Sequence, residues 1–87
     1  MVSFDYIVKD VMGLHARPVG VVVKAVAAFK TTKVTIAHNG VLADGKRLFA
    51  ILGLQVKQGE TITVSADGEN EQEVLDSILS VFKAENL

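Results

Sequence analysis

Apolar residues alternate at the start of the chain: Val2, Phe4, Tyr6 and Val8 interleave with Ser3, Asp5 and Lys9. A period of two predicts a strand with one buried face, and Ile7 is the single apolar residue on its polar side. Asp10 to Leu14 reads as a loop. Residues 16–29 carry opposing signals. Val21-Val22-Val23 is β-branched and favours extended backbone. Val19, Val22, Val23, Val26 and Phe29 nevertheless share one helical stripe, and the segment outruns a usual strand, so the pattern predicts a helix. Lys33 to His38 alternates again, with Val34 and Ile36 on one side. Asn39-Gly40 predicts a tight hairpin turn, because both positions tolerate positive φ. Val41 to Ala43 is the return strand, ended by Asp44-Gly45-Lys46.

Arg47 to Leu52 predicts a short apolar helix, with Gly53 in the left-handed position just past its end. Gln58-Gly59 turns the chain into a strand over Thr61 to Ala66, with Ile62, Val64 and Ala66 inward. Asp67-Gly68 makes the last turn. Asn70 followed by Glu73 has the spacing of a capping box. Glu71 and Glu73 suit the first turn of the final helix and Lys83 its last. Val74, Leu75, Ile78, Val81 and Phe82 form its buried face. Helices laid on one face of an antiparallel sheet define an α+β domain, spanning 1–87 here.

Composition narrows the function. Nine basic and ten acidic residues leave a net charge of -1. Nothing in that balance attracts nucleic acid or a membrane surface. Cysteine is absent, which excludes disulfides and thiolate metal sites. No apolar run approaches the ~20 residues of a membrane helix, and the N-terminus has no signal-peptide pattern. The default compartment is the cytosol. Phosphate-binding loops of the Walker type, a serine elbow and metal-spaced histidines are all missing. His38, beside the hairpin turn, reads as solvated surface.

One stretch carries chemistry: Gly13-Leu14-His15-Ala16-Arg17-Pro18. Gly13 lets the backbone turn, and His15 stands at a helix entrance. Pro18 fits the first turn, where an N–H would lack a partner, although a proline also restrains Arg17 before it. Imidazole supplies a nucleophilic nitrogen near neutral pH. Arg17 supplies a fork matched to phosphate oxygens, and the N–H groups of Ala16 and Arg17 lie at the positive dipole end. The local reading is a phosphoryl group accepted by His15 and held by Arg17 and Ala16. The alternative is a histidine that only caps a helix.

The motif resembles the active-site motif of HPr, the histidine phosphocarrier family of the bacterial sugar phosphotransferase system. Lys46, Leu48-Phe49, Gln58-Gly59 and the run Thr61 to Ala66 fall in the family's order and spacing, so the resemblance covers the whole chain. It implies an open-faced β-sandwich of four antiparallel strands with three helices on one side. It implies a carrier rather than an independent enzyme, with Nδ1 of His15 as acceptor and no cofactor or metal. Enzyme I is the implied donor and a sugar-specific enzyme IIA the implied acceptor.

The short helix has four large apolar residues in five positions, and so brief an element cannot bury its whole circumference. By resemblance, Leu48, Phe49 and Leu52 form a docking patch beside His15. Gly20 and Lys24 lie on the histidine side of the first helix by helical spacing, and Lys46 and Arg47 supply charge at the rim. Arg47 stands where relatives often carry a serine that a regulatory kinase phosphorylates, so that regulation is not expected. Two other functions stay open: a nitrogen-branch or regulatory paralogue, and a non-catalytic interaction module. A monomer is expected.

Overall fold

A computed structural model describes residues 1–87. The elements run β1 (Val2–Ile7), α1 (Ala16–Ala27), β2 (Thr32–His38), β3 (Val41–Asp44), α2 (Leu48–Leu52), β4 (Thr61–Gly68) and α3 (Glu71–Ala84). The four strands form one sheet in the order β1-β4-β2-β3, with every neighbouring pair antiparallel. The last strand in sequence is therefore an inner strand. It pairs Phe4 with Val64 on one side and Ile36 with Val64 on the other.

The period-two pattern decides which face is covered. Val34, Ile36, Ile62, Val64 and Ala66 point to the helices and are buried, whereas Ser3, Asp5, Lys33 and Asp67 face outward. The helical stripe wins over β propensity in 16–27: Val19, Val22 and Val26 are buried against the core. Helix packing of an amphipathic face outweighs the few tenths of a kcal/mol that each valine costs. Phe29 lies beyond the helix end and is only partly buried. From α3, Val74, Leu75, Ile78 and Phe82 enter the core. The Phe82 ring meets Tyr6 at 4.8 Å and Phe4 edge-on at 6.1 Å, which ties α3 to β1.

Three local expectations are corrected. Gly53 is right-handed (φ -64), and the left-handed residue is Gln55 (φ 53). The capping box does not form: Asn70 is itself left-handed (φ 61), and its side chain caps nothing. Glu71 instead accepts from the Gly68 N–H at 3.2 Å and pairs with the Met1 ammonium at 3.3 Å. His38 is not solvated; it is 8% exposed. It shares strand parity with Thr32, Val34 and Ile36, which turns it inward. Its Nδ1 donates to the Leu54 carbonyl at 3.1 Å, and its Nε2 lies 3.3 Å from Glu60. Glu60 in turn accepts from the Lys57 N–H. That bond, helped by His38, holds its carboxyl below the usual range against the opposing pull of desolvation.

Candidate functional site

The loop between β1 and α1 is held at both ends. Val8 accepts from Gly59 N–H at 2.7 Å, and Leu14 N–H donates to Val56 at 3.1 Å. Gly13 makes the reversal at φ +67, and a Cβ there would sit 2.1 Å from the Val56 carbonyl oxygen. Gly13→Ala therefore combines left-handed strain with a backbone clash. A loss of about 2 kcal/mol or more is expected in denaturant unfolding, with the Leu14 amide exchanging faster. Wild-type stability in this variant would show that the loop relaxes freely.

This reversal brings His15 back over Asp10. The His15 Nε2 lies 2.9 Å from Asp10 Oδ2, while Asp10 Oδ1 accepts from Met12 N–H at 2.9 Å. An ionised carboxylate only accepts, so the shared proton sits on Nε2. Nδ1 is then the nitrogen with a free lone pair. The Met12 N–H, followed by the His15 ring, holds the Asp10 carboxyl below the usual carboxylate range, with desolvation opposing. Both side chains are largely shielded yet reachable from solvent.

His15 is the N-cap of α1, in extended backbone (φ -124, ψ 169), and its side chain makes no cap bond. Its carbonyl accepts the first helical bond, from Val19 N–H at 3.1 Å. Ala16 and Arg17 therefore present N–H groups without helical partners, and Pro18 has none to present. Asp10, His15, Arg17 and Pro18 line an open cleft of about 320 Å³ together with Ala84, Glu85 and Asn86 from the end of the chain's last helix and the residues after it. His15 and Arg17 share this cleft, whereas Ala16, between them in sequence, does not line it.

The second group of residues spreads wider. Phe49 is 84% exposed, whereas Ile51 in the same helix is buried and Leu48 and Leu52 pack partly against the core. Arg47 caps α2 through its backbone and is exposed; it lines a shallow hollow with Lys46, Leu48, Phe49 and Ala50. Lys46 is not a free rim charge, since its Nζ donates to the Phe29 carbonyl at 2.6 Å. Lys24 is exposed on α1, and Gly20 has open space above its backbone. No group of three or more His, Cys, Asp or Glu residues is placed to hold a metal ion. No helix is long and apolar enough to cross a membrane.

Asp10 is the residue the motif does not announce. The signal was present as an Asx turn, Asp10-Val11-Met12, with Gly13 N–H returning to the Asp10 carbonyl at 2.9 Å. Its contact with a ring five residues on depends on the Gly13 reversal.

The Asp10 contact is pH-dependent with a definite sign. The folded-state pKa of Asp10 is depressed, so the contribution is complete above the ordinary aspartate value and is lost as pH falls through the depressed folded value. We expect an NMR titration of the Asp10 carboxyl to give a midpoint below the ordinary value, rising in His15→Ala and rising further when Gly13 is also changed. A midpoint at the ordinary value in the wild type contradicts the geometry.

Comparison with known proteins agrees with this fold. The family described as "PTS HPr component phosphorylation site" matches residues 2–84. The phosphocarrier protein HPr of Mycoplasma genitalium is 32% identical over 78 residues, which is 90% of this chain and 89% of the relative. The phosphocarrier protein NPr of Proteus mirabilis is 34% identical over 77 residues, 88% and 86% of the two chains. A solved structure of the Mycoplasma histidine-containing phosphocarrier protein superposes with a TM-score of 0.95 at 29% identity, covering 99% of this chain and 97% of that one. A four-stranded antiparallel sheet under three helices, with a histidine at the entrance of the first, is the HPr architecture. The chain belongs to the HPr family of phosphocarriers of the phosphotransferase system.

Proposed function

We propose that this protein accepts a phosphoryl group on Nδ1 of His15 from phospho-enzyme I and passes it to a sugar-specific enzyme IIA. The observation that carries the reading is the Asp10–His15 contact, which occupies Nε2 and leaves Nδ1 with its lone pair, on a ring that lines one cleft with Arg17. In the transfer, the Nδ1 lone pair forms the bond to phosphorus while the donor's bond to phosphorus breaks. The proton on Nε2 stays there, and the positive charge that develops on the ring faces the Asp10 carboxylate. Phosphoryl transfer asks for placement and charge stabilisation above all. Arg17 and the N–H groups of Ala16 and Arg17 supply donors for the oxygens.

Docking on this reading uses Phe49 with Leu48 and Leu52, alongside Gly20, Lys24 and Arg47, while Lys46 stays tied to the Phe29 carbonyl. A small apolar patch with charged edges suits a complex that must dissociate quickly. The protein works as a single chain, in the cytosol, without a cofactor. Incubation with enzyme I and phosphoenolpyruvate tests the reading: one acid-labile phosphate per chain is expected, and none overturns it. The NPr relative favours one second reading, a nitrogen-branch carrier with the same histidine chemistry. Capture of a nitrogen-branch rather than a sugar-branch IIA protein from extract separates the two.

A further inference from the structure

The end of α3 is tied to the histidine loop by a residue outside the motif. After Ala84 the chain reverses at Asn86, which is left-handed at φ 57. Asn86 N–H donates to the Lys83 carbonyl at 3.3 Å, and Leu87 N–H reaches back to Phe82 at 2.9 Å. This pair of bonds, five-to-two and six-to-one, is a Schellman ending, with asparagine where glycine is usual. The reversal drives the Leu87 side chain into the core, where it is 0% exposed. Its main-chain oxygen is then presented to the loop and accepts from the N–H groups of Lys9 and Asp10, the latter at 3.1 Å.

The bonds on Asp10 show what this does. Its carbonyl is taken by Gly13, one carboxylate oxygen by Met12 and the other by His15. Gly13 and Met12 lie within the loop and would move with it, whereas His15, at the N-cap of α1, is the group to be oriented. Apart from the ring it orients, the bond from its N–H to Leu87 is what ties Asp10 to the rest of the fold, at the end of α3. We propose that Leu87 is a positioning residue for His15: its anchored oxygen holds Asp10, and Asp10 holds the ring in the Nε2–H form. Groups that orient a functional histidine through its second nitrogen commonly matter about tenfold or more. The kinetic part of this inference rests on the phosphocarrier reading; the tautomer part does not.

The test compares four variants with the wild type by imidazole ¹H–¹⁵N spectra, amide exchange and phosphoryl uptake. Leu87→Ala removes the buried anchor. Asn86→Val keeps Leu87 but puts a β-branched residue at a left-handed position. Both are expected to lower Lys9 and Asp10 amide protection about tenfold, to mix the two His15 tautomers and to slow phosphoryl uptake about tenfold. Leu87→Met refills the volume and is expected to restore all three readouts. Val34→Ala is the control: Val34 is also buried, and through Ala66 it aligns with Val2, at the end of β1 away from Lys9. It is expected to lower stability with the tautomer unchanged. A single Nε2–H tautomer in Leu87→Ala and Asn86→Val, despite lost amide protection, overturns the proposal. Equal tautomer mixing in Val34→Ala overturns it too. A wild type that takes up no phosphoryl group would instead defeat the phosphocarrier reading, while the tautomer comparison still decides the role of Leu87.

Discussion

His15→Ala is expected to abolish phosphoryl uptake while leaving the fold in place. The side chain stands at the end of a loop and gives α1 no cap bond. Its loss removes one partly buried hydrogen bond to Asp10 and no core packing. Stability should move by about 1 kcal/mol or less, in the range of a surface change. Uptake should fall to background, because the other histidine cannot substitute. His38 is buried, with Nδ1 on the Leu54 carbonyl and Nε2 facing a carboxylate. Labelled phosphoenolpyruvate with enzyme I, followed by digestion and site mapping, is the measurement. Label on the mutant at any other residue would remove His15 from its proposed role.

Phe49→Ala is expected to weaken enzyme I binding tenfold or more, about 1.4 kcal/mol, with little change in unfolding. Sequence alone left two outcomes open for this residue. A buried phenylalanine would cost ~3–5 kcal/mol of stability when truncated, and an exposed one almost none. Its 84% exposure decides for the second, since Ile51 is the member of α2 that fills the core. Titration calorimetry and urea unfolding on the same preparation give both numbers. A stable mutant that binds as tightly as wild type would remove Phe49 from the docking surface.

Much of this architecture was legible from periodicity. The alternation in β1, β2 and β4 and the valine stripe of α1 each placed the core-facing side correctly, because burial of one face is a strong and local constraint, although Val2, Phe4, Tyr6 and Val23 are only partly buried. Asn39-Gly40 forms the predicted turn, with φ 51 and 80. What escaped was side-chain traffic that depends on tertiary position. Asn70 had the spacing of a cap, but its left-handed backbone points its amide elsewhere. His38 was judged by its neighbour turn rather than by strand parity. Arg17 and Ala16 were readable as phosphate donors because they adjoin His15 in sequence. Asp10 and Leu87 were not, since the first needs the Gly13 reversal and the second arrives from 77 residues away along the chain.

The strand order has a consequence for biosynthesis. β4 joins β1 to β2, yet it is the last strand to leave the ribosome. Until residues 61–68 emerge, β1 has no partner, and the only sheet pairing available to the nascent chain is the local β2–β3 hairpin. Two strands with one hydrogen-bonded turn are marginal in water. The sheet must therefore close in a late, long-range step, which slows folding relative to a chain with neighbouring strands paired in order. The histidine loop waits longer still, because the residue that anchors Asp10 follows α3. On the proposed function, an unfinished chain has its His15 motif translated early but no site to display it on, so incomplete products carry the motif without competing for the phosphoryl donor.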